Sequence, residues 1–399
     1  MTPLDLLIIG GGMYVTGRGA PGYKGTVLPA VLEARRAGLV GRIAIATTSP
    51  ESAAKAGAAA RALAAEMGVS DAIETFPGDT AAAGPKAFES AAREFGPDAV
   101  IVSVPDHLHA EICIPMIEAG RHCLVVKPMA GTLDDAKRMV AAASAADVVA
   151  QVEFHKRLDE SNLMLREAVQ RGELGDPLYA SIEYSQRKLV ARDALRGWAA
   201  QSNIFQYLGV HYVDLLSWAT SFVPVRVTAW GQKGYLQASG VDTWDSIQVV
   251  VEWRRTDGQP FVSTHVTNWI DPDLNTAMSD QKINLVGTKG RYQADQKNRG
   301  VQTVSDEAGV RDLNPYFTTG WRDDLGGHVT YHGYGIASVM QFLKDAEAVS
   351  AGRLTTAALE GARPTFKDGL VSTAVIEAAA ASLAAGSVPV AVPAWETDE

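Results

Sequence analysis

The strongest constraint on this chain is the alternation of short, unbroken apolar runs with Ala-rich helical segments across its first 153 residues. Leu6–Ile9, Ile43–Thr47, Ala99–Val104, Cys123–Val126 and Val148–Glu153 read as strands. Val27–Ala37, Glu51–Glu66, Lys86–Phe95, His109–Ala119 and Leu133–Ala146 read as helices between them. Strands apolar on both faces need cover on both faces, so this order specifies a doubly wound parallel sheet, an α/β fold. The chain has 399 residues, too many for one ordinary core, and its texture changes after about residue 175. Leu178–Tyr184, Val225–Trp230, Ser246–Trp253, Phe261–Thr267 and Lys282–Val286 alternate polar with apolar and carry more aromatics. They predict a large, mainly antiparallel open sheet in a second α/β domain. We therefore expect domains at 1–153 and 154–399, with a last helix near 368–384 packing back on the body.

Composition excludes several classes. With 47% hydrophobic and 21% charged residues the chain is an ordinary globular one. A net charge of −10 gives no basic footprint for nucleic acid. No apolar run reaches the roughly 18 to 20 residues of a membrane span. The start has no basic segment before its first strand, so we expect no signal peptide and a cytoplasmic chain. Cys113 and Cys123 sit in apolar segments and suit core packing better than a disulfide or zinc.

The first strand runs into Gly10-Gly11-Gly12-Met13-Tyr14-Val15. A glycine turn between strand and helix lets backbone amides meet a pyrophosphate, so Gly10, Gly12 and Met13 are candidate dinucleotide contacts. Val15 stands where the fingerprint usually has a third glycine. The stretch Thr16–Gly25, with four glycines, then delays the next helix. It reads equally as a surface insertion or as a flap. The second strand ends at Thr47-Thr48-Ser49 with no acid to hold ribose hydroxyls, which tilts the expected cofactor towards NADP over NAD, with Lys55 one turn on. These hydroxyls equally suit a cap for the following helix. Pro105 and His107 open the helix after the strand ending at Val104 and would lie beside the cofactor. His107 and His109 find no third ligand at a convincing spacing, and we expect no metal.

Three separated segments, Asp98–Ala110, Glu118–Ala130 and Gly209–Trp218, resemble the Gfo/Idh/MocA family of glucose–fructose oxidoreductases and inositol dehydrogenases. So do the glycine turn, Gly172–Tyr179 and Phe366–Leu370, so the resemblance spans nearly the whole chain. It implies a Rossmann domain followed by an α/β domain with a large open sheet, commonly a homo-oligomer (a dimer or tetramer) through that sheet. It also implies NAD(P)-dependent hydride transfer on a sugar, glycoside, inositol or related polyol. The family's catalytic lysine is matched by Lys127, although the Glu that usually precedes it is Val126. The family's catalytic histidine is matched by His211, and the Asp often found four residues earlier is Tyr207.

The chemistry suits these residue types. A lysine at a strand's carboxyl edge can hold a substrate hydroxyl and favour the alkoxide. An imidazole can carry the hydroxyl proton, and Asp214 lies on the same helical face as His211. Tyr207, one turn earlier, could relay a proton or simply pack. His155, with Lys156 and Arg157, follows the last parallel strand and could meet substrate or form a solvated basic turn. Tyr184, Trp198, Trp244 and Trp269 are aromatics that could stack on a sugar, or core residues. Two other readings compete: a reductase of an imine, enone or diol, and a dinucleotide-sensing regulator without catalysis.

Overall fold

The structure is a computed structural model that describes residues 2–19, 22–79 and 83–396. Packing divides the chain into two units, and neither is continuous. The first comprises residues 1–129, 135–158 and 316–368, and the second 130–134, 159–315 and 369–399. A single boundary after residue 153 does not describe this arrangement, because residues 316–368 return to the first unit.

In the first unit, β1 (Leu4–Ile9), β2 (Val40–Ala46), β3 (Ile73–Phe76), β4 (Ala99–Val102), β5 (His122–Val126) and β6 (Ala150–Glu153) form a six-stranded sheet. Its order is β3-β2-β1-β4-β5-β6 and every pairing is parallel. This is the doubly wound order, with the chain reversing direction across the sheet between β1 and β4. β4 is buried throughout and β1 nearly so, as their unbroken apolar runs require. The edge strand β3 is only four residues long, half polar, and escapes the sequence pattern. The helices are α1 (Met13–Thr16), α2 (Val27–Arg36), α3 (Pro50–Met67), α4 (Ala87–Phe95), α5 (His109–Glu118) and α6 (Leu133–Ala146). The helix Tyr334–Ser350, far away in sequence, adds Ile336, Val339, Phe342 and Leu343 to the core against α2. Cys113 and Cys123 are both buried and unbridged.

The second unit is built on a seven-stranded sheet. Its strands are β7 (Pro177–Arg187), β8 (Val223–Gln232), β9 (Ser246–Arg254), β10 (Pro260–Asp271), β11 (Ser279–Gly287), β12 (Arg291–Asp295) and β13 (Val390–Ala391). The order is β12-β11-β7-β10-β9-β8-β13, and only β7 and β10 run parallel. Alternation gives the sheet two unlike faces. One buries Ile182, Tyr184, Ile247, Val249, Phe261 and Trp269. The other leaves Tyr179, Trp230, Val266 and Ile270 exposed. The unit's longer helices are α7 (Glu160–Gln170), α8 (Val210–Thr220) and α9 (Phe366–Ala384). Among the described residues no helix is long and apolar enough to cross a membrane.

Candidate active site

The carboxyl ends of β1 and β4 meet at Gly10. Its φ is +117°, and a Cβ there would lie 2.0 Å from the carbonyl oxygen of Ser103, just beyond β4. Only glycine fits, because the backbone conformation and the close approach both forbid a side chain. At Gly12 nothing lies within 4 Å of where a Cβ would stand, so the turn's outer side is open. The chain enters α1 with Gly12 extended at its start, and the Thr16 hydroxyl donates back to the Gly11 and Gly12 carbonyls. A crevice at the reversal point of a parallel sheet, floored by an uncovered glycine backbone, fits a dinucleotide diphosphate.

The described ends of the glycine-rich stretch after α1 come together. Thr26 N–H donates to the Tyr14 carbonyl at 2.8 Å, so α2 resumes beside α1. Lys24 reaches Glu66 on α3 at 3.2 Å. Ala20 and Pro21, part of the expected flap or insertion, lie outside the described residues.

At the end of β2 the hydroxyls are largely spent locally. Ser49 Oγ accepts from Ser52 N–H at 3.2 Å and caps α3, and Thr47 Oγ1 donates to the Ser49 carbonyl at 3.1 Å. Lys55 pairs with Glu51 at 2.6 Å. Thr48 is exposed, and no acid stands in this segment.

Lys127 follows the last residue of β5 and joins Pro128 through a cis peptide bond. Burial pushes its ammonium down to about 8, against the opposing pull of the Glu153 and Asp106 carboxylates. His109, on α5, braces this turn. Its Nδ1 lies 2.8 Å from the Pro128 carbonyl and its Nε2 3.0 Å from the Val104 carbonyl, joining the turns that leave β4 and β5. The ring is thus spent on backbone carbonyls rather than on a metal pair with His107. Pro105 opens a single 3₁₀ turn in which Asp106, 2% exposed, accepts from the His107 N–H at 2.9 Å. His107 itself is exposed.

His155, Lys156 and Arg157 are all buried, so they are not a solvated basic turn. His155 Nδ1 lies 2.9 Å from Glu153 Oε2 and 3.2 Å from the Tyr14 hydroxyl, which donates to the same carboxylate oxygen at 2.9 Å. Tyr334 stacks on the imidazole at 5.7 Å and Phe317 tilts against it at 5.2 Å. Burial and the Glu153 carboxylate hold the Tyr14 hydroxyl well above its ordinary range.

In the second unit His211 and Asp214 are both buried in α8. A π-helical turn, Phe205–Gly209, leads into this helix and contains Tyr207. Such turns add one residue per turn and re-aim their side chains. Gly209 is required here, since a Cβ would lie 2.3 Å from the Phe205 ring. Tyr184, on β7, stacks with His211 at 6.5 Å, and its hydroxyl is raised by burial and by Tyr207. Tyr207 also packs on Trp198 at 5.7 Å and on Trp269 at 5.8 Å. Trp269 is fully buried, and its indole N–H donates to Gln186 Oε1 at 2.9 Å, as core aromatics do. Trp244 lies apart, against Gly231 and Lys233.

The structure thus gathers two groups, one in each unit. Tyr14, Asp106, His109, Lys127, Glu153 and His155 belong to the first, and Tyr184, Trp198, Tyr207, His211 and Trp269 to the second. Sequence reasoning assigns no role to Tyr14 or Glu153 and weighs His109 only with His107. The available signal was a lone acid closing the apolar run Val148–Glu153.

The profile of an oxidoreductase family with an NAD-binding Rossmann fold, GFO_IDH_MocA, matches residues 7–154. That of the GFO/IDH/MocA C-terminal domain matches residues 162–293. The chain belongs to the Gfo/Idh/MocA family. It is 31% identical over 150 residues to a 1,5-anhydro-D-fructose reductase of Ensifer adhaerens, covering 36% of this chain and 44% of that protein. It is 28% identical over 219 residues to a myo-inositol 2-dehydrogenase of Thermotoga maritima, covering 54% and 61%. The matched stretches thus span less than two thirds of these relatives. In fold, an inositol dehydrogenase homolog from Azotobacter vinelandii, solved with NADH and myo-inositol, superposes with a TM-score of 0.70 at 20% identity over 98% of both chains. A levoglucosan dehydrogenase solved with NADH gives 0.69 at 23% identity, covering 98% of this chain and 99% of that one.

Proposed function

We propose that this Gfo/Idh/MocA protein is an NAD(P)-dependent dehydrogenase acting on a CH–OH carbon of a sugar, glycoside, inositol or related polyol. The observation that carries the reading is Lys127, a buried amine pushed down to about 8 at the same carboxyl edge of the sheet as a glycine turn that fits a dinucleotide. The bound nicotinamide supplies hydride acceptance in oxidation and hydride donation in reduction. The Gly10–Met13 backbone holds the diphosphate, with Pro105 and His107 flanking the cofactor. Lys127 holds the reacting hydroxyl and stabilises the negative charge that develops on its oxygen. His211 takes the hydroxyl proton in oxidation and returns it in reduction. Tyr207 assists by hydrogen bonding, Asp214 orients His211, and His155 and Tyr184 bound the substrate.

The name of one relative, a reductase, favours the reverse direction as a second reading of the same chemistry. Assay of purified protein with free sugars, anhydrosugars, inositols, glycosides and sugar acids, in both directions and with both cofactors, tests these readings. Turnover of none of them would remove the dehydrogenase reading and leave the dinucleotide-sensing one.

For the cofactor we propose that NADP is accepted at least as well as NAD, because no carboxylate at Thr47–Ser49 repels a 2′-phosphate. Thr48 is the residue best able to meet that phosphate, since Thr47 and Ser49 are engaged locally. Thr48→Asp should shift preference towards NAD by about tenfold, on the order of one charged contact. A strong NAD preference of the unaltered chain would overturn this. We also propose a cytoplasmic homo-oligomer, its interface on the open sheet face that carries Tyr179, Trp230, Val266 and Ile270.

A further inference from the structure

Strand β6 carries one acid, Glu153, whose residue is only 1% exposed. It pairs in parallel register with Val126, the residue before Lys127. Its Oε2 is gripped twice, by the Tyr14 hydroxyl and by His155 Nδ1, each at 2.9 Å. Its Oε1 is buried and has no hydrogen-bond partner among the described residues. A buried carboxylate with a bare oxygen is costly unless a cation balances it. Two bonds on one oxygen and none on the other leave the carboxylate fixed but incompletely satisfied.

The groups around this carboxylate and Lys127 come from four elements. Tyr14 comes from α1, Lys127 from the end of β5, Asp106 from the turn after β4, and His155 from the turn after β6. Asp106 acts on the same lysine from the opposite strand neighbour of β5, but its Oδ1 already accepts from the His107 N–H. Lys156 and Arg157 continue the turn after His155, and Arg157 pairs with Asp368 at 3.2 Å.

We propose that Glu153 is the positioning counter-charge of Lys127, with Tyr14 and His155 fixing one carboxylate oxygen so that the other serves the lysine ammonium. The side chain at 126 is apolar, so the carboxylate is supplied across the ladder from the next strand. Glu153 keeps Lys127 charged at neutral pH despite its burial, and so keeps it able to stabilise a developing alkoxide. This rests on the reading of Lys127 as the group that meets substrate, but its electrostatics can be measured without turnover.

The test labels the full chain with acetic anhydride across the neutral to alkaline range, reading each lysine by peptide mass spectrometry. Only the neutral amine reacts, so the unaltered chain should give a Lys127 midpoint at about 8. Glu153→Gln removes the anion and should lower that midpoint by about one pH unit or more. Glu153→Asp draws the carboxylate back by one methylene and should lower it less. If Glu153→Gln fails to fold, the Asp variant decides alone. In active enzyme, the alkaline limb of kcat/KM should move with the Lys127 midpoint, which lost packing alone would not produce. An unmoved Lys127 midpoint in a folded variant overturns the proposal, as does a shift confined to Lys156. A chain without dehydrogenase activity would defeat the functional reading while leaving this labelling result to stand by itself.

Discussion

The two sheets distribute chemistry in different ways. All six strands of the first run the same direction, so their carboxyl ends form one edge. Gly10, Ser103, Lys127 and Glu153 lie at or just past strand ends along that edge, and strand order alone brings them together. In the second sheet neighbours mostly run antiparallel, so no edge collects the strand ends. There the candidate residues sit on the covered face and in the segments crossing it: Tyr184 and Trp269 on strands, Tyr207 and His211 in a π-turn and the helix that follows. A parallel sheet therefore specifies a site by topology, whereas an antiparallel one needs the particular side chains that pack over it.

If this contrast is right, the largest loss should come from the parallel edge. Lys127→Met should lower kcat by about a thousandfold or more, on the scale of losing a group that acts in the transition state. Dinucleotide affinity, measured by fluorescence titration, should change by less than about threefold. Near-normal kcat would remove the central residue from this account.

Gly10→Ala attacks the same edge through the backbone. Its Cβ would meet the Ser103 carbonyl at 2.0 Å in a conformation that side chains avoid, so β1 and β4 must part. Overpacking of this kind costs about 1–3 kcal/mol. We expect a Tm lowered by several degrees and dinucleotide affinity weakened by about tenfold, both read on one preparation by thermal unfolding and titration. Unchanged affinity would show that the diphosphate does not rest on this turn.

The same contrast explains what the sequence made legible. The parallel unit was readable because unbroken apolar runs name strands buried on both faces, and their order names the edge. It hid two elements: β3 is too short and polar to register, and the helix Tyr334–Ser350 joins this core from nearly two hundred residues away. Glu153 was visible as an acid closing an apolar strand, but only the register with Val126 and the bonds to Tyr14 and His155 give it a role. In the second unit alternation revealed the five long strands. The convergence of Trp198, Tyr207 and Trp269 depends on the π-turn, which has no periodic signature, and the buried state of His155–Arg157 could not be read from three polar letters.

In the antiparallel unit the expected effects are smaller and divide between two residues. His211→Ala should lower kcat by about a hundredfold, the lower end for loss of a proton carrier. Tyr207→Phe keeps the ring contacts with Trp198 and Trp269 and removes only the hydroxyl, so about tenfold or less is expected. Steady-state kinetics of both variants orders them. A Tyr207→Phe more damaging than His211→Ala would make the tyrosine the proton carrier.

The smallest effect concerns stability and again separates the parallel edge from the rest. Lys127 titrates at about 8 in the folded chain against an ordinary 10.5, because burial disfavours its charge. Between those two values the unfolded chain keeps a proton that the folded chain has released, so the stability of the unaltered protein rises with pH across that window. Below about 8 both states are charged, and the folded state bears the full cost of the buried ammonium. Lys127→Met removes that cost while retaining an unbranched side chain. It also leaves the buried Glu153 carboxylate without its counter-charge, so the offset between the two proteins combines both changes and the pH-dependence of the gap is the readout. The unaltered protein should gain stability relative to the variant as pH rises through about 8 towards 10.5. Thermal unfolding of the two proteins over a pH series measures this difference. A gap that does not vary with pH would mean that the ammonium is fully compensated, and the parallel edge would then hold its lysine without strain.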